Sequence, residues 1–116
     1  MRGPLRILAA AAALASAAAW AQVPSASGRD IFLRADKGNC IACHQVPEGA
    51  GPAVRANMGP RLDAARLKGW DRARLRALLD DPMRANPDTV MPPYGRHRLL
   101  DAGEIERVID YLHALP

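Results

Sequence analysis

The chain has 116 residues, the length of one small domain, which excludes multidomain enzymes and large barrels. Aromatic residues make up only 4% of it, too few for the chain to build a sizeable core from its own side chains. Sixteen Lys and Arg against 12 Asp and Glu give a net charge of +4 without any basic run that resembles a phosphate-backbone footprint, so nucleic acid is not expected as a partner.

Residues 1–21 read as a signal peptide. Arg2 and Arg6 precede an apolar stretch from Ile7 to Ala19, and Ala19-Trp20-Ala21 is a small-x-small cleavage site. The stretch is shorter than the ~20 residues that cross a bilayer. Cleavage after about Ala21, a periplasmic location and no membrane span are therefore expected. No cysteine stands at the cut to take a lipid. Residues 22–116 then form a single domain.

In chain order, Gly28 to Ala35 reads as a short helix with Ile31 and Phe32 inward. Gln45 to Met58 is rich in Gly, Pro and Ala and reads as loop. After a Gly59-Pro60 turn, Leu62 to Lys68 holds one more short helix. Asp71 is a candidate N-cap for a helix that buries Leu75, Leu78 and Leu79 and stops at Pro82. Arg72, Arg74 and Arg76 fall largely off that apolar face and read as a solvated rim. The segment 83–98, with Pro87, Pro92, Pro93 and Gly95, is irregular. Asp101 and Glu104 form a capping box for a last helix whose Ile105, Val108, Ile109 and Leu112 share one face. No strand pattern emerges, and the fold class expected is all-α.

The chemistry lies in Cys40-Ile41-Ala42-Cys43-His44, the Cys-x-x-Cys-His attachment site of a c-type haem. Two thiols on one turn can form thioethers with the porphyrin vinyl groups, and the adjacent histidine is placed to bind iron. A redox dithiol needs a strand before it, and none is evident. A structural disulfide needs no histidine. Zinc needs a fourth ligand, which His97 or His113 would have to supply. One covalently attached haem c also solves the shortage of core.

For the second axial position the candidates are Met58, Met83, Met91, His97 and His113. Met91 begins the stiff run Met91-Pro92-Pro93-Tyr94-Gly95, which can hold a flexible thioether in place. His44 and Met91 are therefore the expected metal ligands. His44 also needs its other ring nitrogen pinned, and the Pro60 carbonyl is the expected acceptor, with Gly51-Pro52 as the alternative. Gly28 and Tyr111 could mark a close helix crossing near Phe32. Asn86 and Thr89 are placed to tie down the methionine loop. Trp70 could cap the haem edge or donate to a propionate, or simply pack in the core. With both axial positions filled, electron transfer is expected and no residue is assigned a catalytic role.

These residues give the mature chain a resemblance to class I cytochrome c domains: a helix with Gly28 and Phe32, the Cys40 to His44 motif, Gly59-Pro60-x-Leu62, a methionine loop, and a helix ending Tyr111-Leu112. More narrowly, the chain resembles the SoxX family, the small monohaem subunits of SoxAX sulfur-oxidation cytochromes. That likeness rests on Gly38 to Gln45, Asp81-Pro82-Met83 and, above all, Asn86 to Gly95. The resemblance implies a periplasmic heterodimer with a larger haem-containing subunit, which carries the site that couples thiosulfate to a carrier-protein cysteine. This chain would accept the electrons and pass them to a downstream cytochrome acceptor. The rival reading is a free diffusible monohaem carrier between respiratory complexes.

Overall fold

The computed structural model describes residues 24–116. The expected signal peptide, residues 1–21, lies outside the described residues. Four α-helices are present: α1 (Gly28–Leu33), α2 (Ala64–Leu67), α3 (Arg72–Asp80) and α4 (Ala102–His113). Two short 3-10 turns, Cys40–Ala42 and Pro82–Arg84, complete the regular structure. Among the described residues there is no strand beyond one isolated bridge between Glu48 and Gly51. The described residues thus form an all-α fold. No described helix is long and apolar enough to cross a membrane.

The helix starts follow from capping chemistry. Asp101 accepts from the Glu104 amide at 2.7 Å while Glu104 reaches back to the Asp101 amide at 3.0 Å, the reciprocal box read from the sequence. Asp71 caps α3 and Asp63 caps α2. A second box, Ser27 with Asp30, starts α1. Helix α1 ends at Leu33, two residues short of the expected Ala35, where Arg34 leaves in an extended conformation. The segment after α3 contains one regular turn that composition hides. Asp81 accepts from the Met83 amide, and Pro82 at the first position needs no partner for a missing N–H.

Helix α1 packs on α4, and α3 lies against α4 on another side. Ile105, Val108, Ile109 and Leu112 are all buried, as their spacing requires. Ile31 and Phe32 meet them from α1, Leu75 and Leu79 from α3. Each such side chain contributes about 1.5–3 kcal/mol by leaving water. The α1–α4 contact is close enough to demand glycine: a Cβ at Gly28 would collide with the Arg107 carbonyl and lie 3.0 Å from Tyr111 Cβ. Beside it, the Phe32 and Tyr111 rings stack at a tilt of 56° with centroids 5.0 Å apart.

The three arginines of α3 face solvent, as expected of a rim, and each is also engaged with a neighbour. Arg72 pairs with Glu106, at 2.7 Å, and with Asp110; Arg76 pairs with Glu106. Arg74 lies over the Trp70 ring, 3.7 Å from its centroid. The i, i+4 spacing on each helix lets Glu106 take both arginines and Arg72 take both acids, and α3 is thereby tied to α4.

Candidate haem site

Cys40 sits in a tight 3-10 turn entered through Asn39, whose φ of 47° is left-handed. Asparagine tolerates that region better than most residues. The turn bonds internally, Cys43 N–H and His44 N–H both donating to the Cys40 carbonyl at 3.1 and 2.9 Å. Both thiols are free. Burial pushes the Cys40 thiol up to about 12, away from the thiolate an active redox dithiol requires.

His44 is fixed on two sides. Its Nδ1 lies 2.7 Å from the Pro60 carbonyl oxygen, so the N–H there donates to a backbone acceptor and Nε2 is left for a metal. The alternative turn at Gly51-Pro52 instead lies near Val46 and Tyr111. One face of the imidazole is covered by Gly59, where a Cβ would stand 2.7 Å from Nδ1. The Gly59 amide donates back to the Cys43 carbonyl at 2.9 Å, which closes the loop onto the motif.

Two adjoining hollows meet at these residues, one of about 170 Å³ and one of about 400 Å³. Cys40, His44, Pro60 and Met91 line both. The smaller hollow is walled by the core itself, including Phe32, Leu75, Leu79, Val108 and Leu112, and its polar side chains are His44, Arg66 and the indole of Trp70. Trp70 and Leu62 also border it. The larger hollow opens between the Cys40–His44 turn and the Thr89–Pro92 loop.

Of the candidate second ligands, only Met91 and Met58 border these hollows. Met58 immediately precedes the glycine stacked on the imidazole, so its chain runs on the His44 side, with its Sδ 3.8 Å from Cys43 Sγ. Met83 borders neither hollow, His97 is exposed, and His113 is bonded through Nε2 to the Trp70 carbonyl at 3.0 Å. Met91 is held by its own loop: its amide donates to Thr89 Oγ1 at 3.1 Å, and the Asp88 amide donates to Asn86 Oδ1 at 3.2 Å.

This donor set suits a haem c. It offers two unpaired thiols on one turn, an imidazole with one nitrogen committed, a thioether on a proline-stiffened loop, and an apolar chamber between them. Cys40 and Cys43 could anchor the group, and His44 and Met91 could ligate its iron. Two features escaped the sequence reading. Tyr94, buried at the end of the methionine run, donates from its hydroxyl to the Gly38 carbonyl at 2.6 Å. Lys37 pairs at 2.5 Å with the buried Glu104 and so joins the approach to the motif to the start of α4. The capping box already committed Glu104 to an inward position, and that was the available signal for the second.

An all-helical domain that gathers a Cys-x-x-Cys-His turn and a methionine loop around one apolar chamber is a class I cytochrome c domain, an electron-transfer haem protein. Residues 24–112 match the family model described as cytochrome C oxidase, cbb3-type, subunit III, and the chain belongs to that family of cytochrome c domains. An uncharacterized lipoprotein of Aquifex aeolicus (strain VF5) is 35% identical over 79 residues, covering 66% of this chain and 36% of the relative. The chain thus spans about a third of the length of the curated relative it matches.

Proposed function

We propose that this chain is an exported monohaem electron carrier in which Cys40 and Cys43 hold the haem and His44 and Met91 are its axial ligands. The observation that carries this reading is the shared lining of both hollows by Cys40, His44, Pro60 and Met91. When bound, haem c supplies a one-electron iron couple. The residues of this chain do the rest. Pro60 orients the imidazole through Nδ1, the core leucines exclude water, and the Thr89–Pro92 loop presents the thioether. With His44 and Met91 both on the iron, no place would be left for an exogenous diatomic ligand. The ferrous holo-protein is expected not to bind carbon monoxide at neutral pH; ready binding would contradict the reading.

The narrower reading makes the chain the electron-accepting subunit of a periplasmic complex that couples thiosulfate to a carrier-protein cysteine. Its support is the Asn86 to Gly95 stretch. The surroundings of the larger hollow add to it: Val90 is 74% exposed, Met58 70% and Leu99 47%, and all three border that opening. The partner would be a larger haem-containing subunit, with a second cytochrome as the downstream acceptor. Gentle isolation of the holo-protein from thiosulfate-grown native cells tests this. A larger c-type cytochrome eluting in equal amount is expected; elution as a lone monomer would favour the diffusible carrier.

A further inference from the structure

We propose that Tyr94 is the positioning residue that holds the Met91 thioether toward the His44 side of the site; this rests on the reading of Met91 as a ligand. Tyr94 ends the run Met91-Pro92-Pro93-Tyr94, and two successive prolines, each with φ fixed by its ring, transmit the placement of residue 94 to residue 91. Tyr94 is itself immobilised. It is only 6% exposed, its amide donates to the Pro92 carbonyl at 3.1 Å, and its carbonyl accepts from the Leu99 and Leu100 amides at 2.9 and 3.1 Å.

The hydroxyl reaches across the site. It donates to the Gly38 carbonyl at 2.6 Å, a bond spanning 56 residues of chain. Gly38 is a firm anchor: its amide donates to the Ile31 carbonyl at 3.0 Å, and a Cβ there would stand 2.8 Å from that same oxygen and 3.0 Å from Cys40 Sγ. Gly38 is two residues before Cys40. One buried hydroxyl thus joins the methionine loop directly to the segment that carries the first thiol. At its other end the loop is tied through Thr89 Oγ1 and, by the Asn86 amide at 3.0 Å, to the Pro82 carbonyl, neither of which reaches the Cys40 segment. Deleting the hydroxyl leaves the Gly38 carbonyl without that donor and removes this tie between the methionine loop and the Cys40 segment, while the backbone bonds of Tyr94 remain.

Tyr111 provides an internal control. It makes a tyrosine-to-carbonyl bond of the same kind, to Ala50 at 2.8 Å, on the α1–α4 side and away from Met91. The experiment titrates ferric holo-protein with imidazole and follows the sulfur-to-iron charge-transfer band. Tyr94→Phe is expected to bind imidazole about fivefold more tightly, the scale of one net hydrogen bond, and to lose part of the band. Tyr111→Phe is expected to match wild type. Native-state hydrogen exchange on the wild-type holo-protein gives a second reading that needs no variant. The Tyr94 and Gly95 amides are expected to open together with those of Gly38 and Asn39. Wild-type imidazole affinity in Tyr94→Phe, an equal shift in Tyr111→Phe, or independent opening of the two segments overturns the proposal and leaves Met91 ligation standing. Absence of the band in wild type overturns both.

Discussion

Gly59 lies flat against the His44 imidazole, so close that a Cβ at position 59 would stand 2.7 Å from Nδ1. The same turn presents the Pro60 carbonyl to that nitrogen at 2.7 Å. Ring plane and ring tautomer are therefore set by two consecutive residues. Gly59→Ala is expected to displace the imidazole, lower the yield of covalently loaded protein and destabilise what forms by roughly 1–3 kcal/mol, the usual cost of overpacking. Haem content per polypeptide and a denaturant melt read both effects; a fully loaded variant of native stability would show that the ring has room to move.

The α1–α4 crossing makes a similar demand away from the haem. A Cβ at Gly28 meets the Arg107 carbonyl, which is backbone and cannot step aside. Gly28→Ala is expected to cost about 1–3 kcal/mol in chemical denaturation with little change in reduction potential. A neutral effect on stability would mean that α1 packs less tightly on α4 than described.

The chamber is bounded by the same side chains that form the core. An open apolar hollow of about 170 Å³ in the core leaves its lining side chains without packing partners on one side. A Cys40→Ala, Cys43→Ala double variant lacking covalent haem is expected to be mostly unfolded or molten. Far-UV circular dichroism with a thermal scan tests this; native helicity and a sharp transition would contradict it.

Acid should loosen the α3–α4 tie. The Arg76 and Arg72 guanidiniums hold the Glu106 carboxyl well below its usual range, at about 2. A lowered folded-state value means the ion pairs stabilise the fold above the ordinary glutamate range and lose that contribution as pH falls from about 4.5 toward 2. Glu106→Gln is expected to flatten the stability profile across this window and leave neutral-pH redox behaviour intact. Parallel profiles for the two proteins would show that these exposed pairs carry no net stability.

What the sequence revealed and what it hid divide along physical lines. The Asp101–Glu104 box and the Ile105 to Leu112 stripe are local patterns, and both stand as read. The Gly28–Tyr111 proximity and the Pro60 carbonyl were legible because a glycine on a helix and a Gly-Pro turn near a motif histidine each answer a specific steric or hydrogen-bonding need. The Tyr94–Gly38 bond has no local signature, since its partners are 56 residues apart and the acceptor is backbone. The arginines of α3 do face solvent, as their positions off the apolar stripe imply, but the ion pairs of Arg72 and Arg76 are not legible because their acids lie on another helix. Only the pairing of α3 with α4 reveals that Arg72 and Arg76 face Glu106. The Ser27–Asp30 box was available locally and was missed because Asp, shorter than Glu, stands at its third position.

The identity of the sixth ligand decides whether this is an electron carrier with a closed iron site. A potentiometric titration of wild type and Met91→His tests it most directly. Replacing a thioether by an imidazole should lower the midpoint potential by on the order of 100 mV or more. An unchanged midpoint would show that Met91 does not bind the iron and that its loop serves some other end.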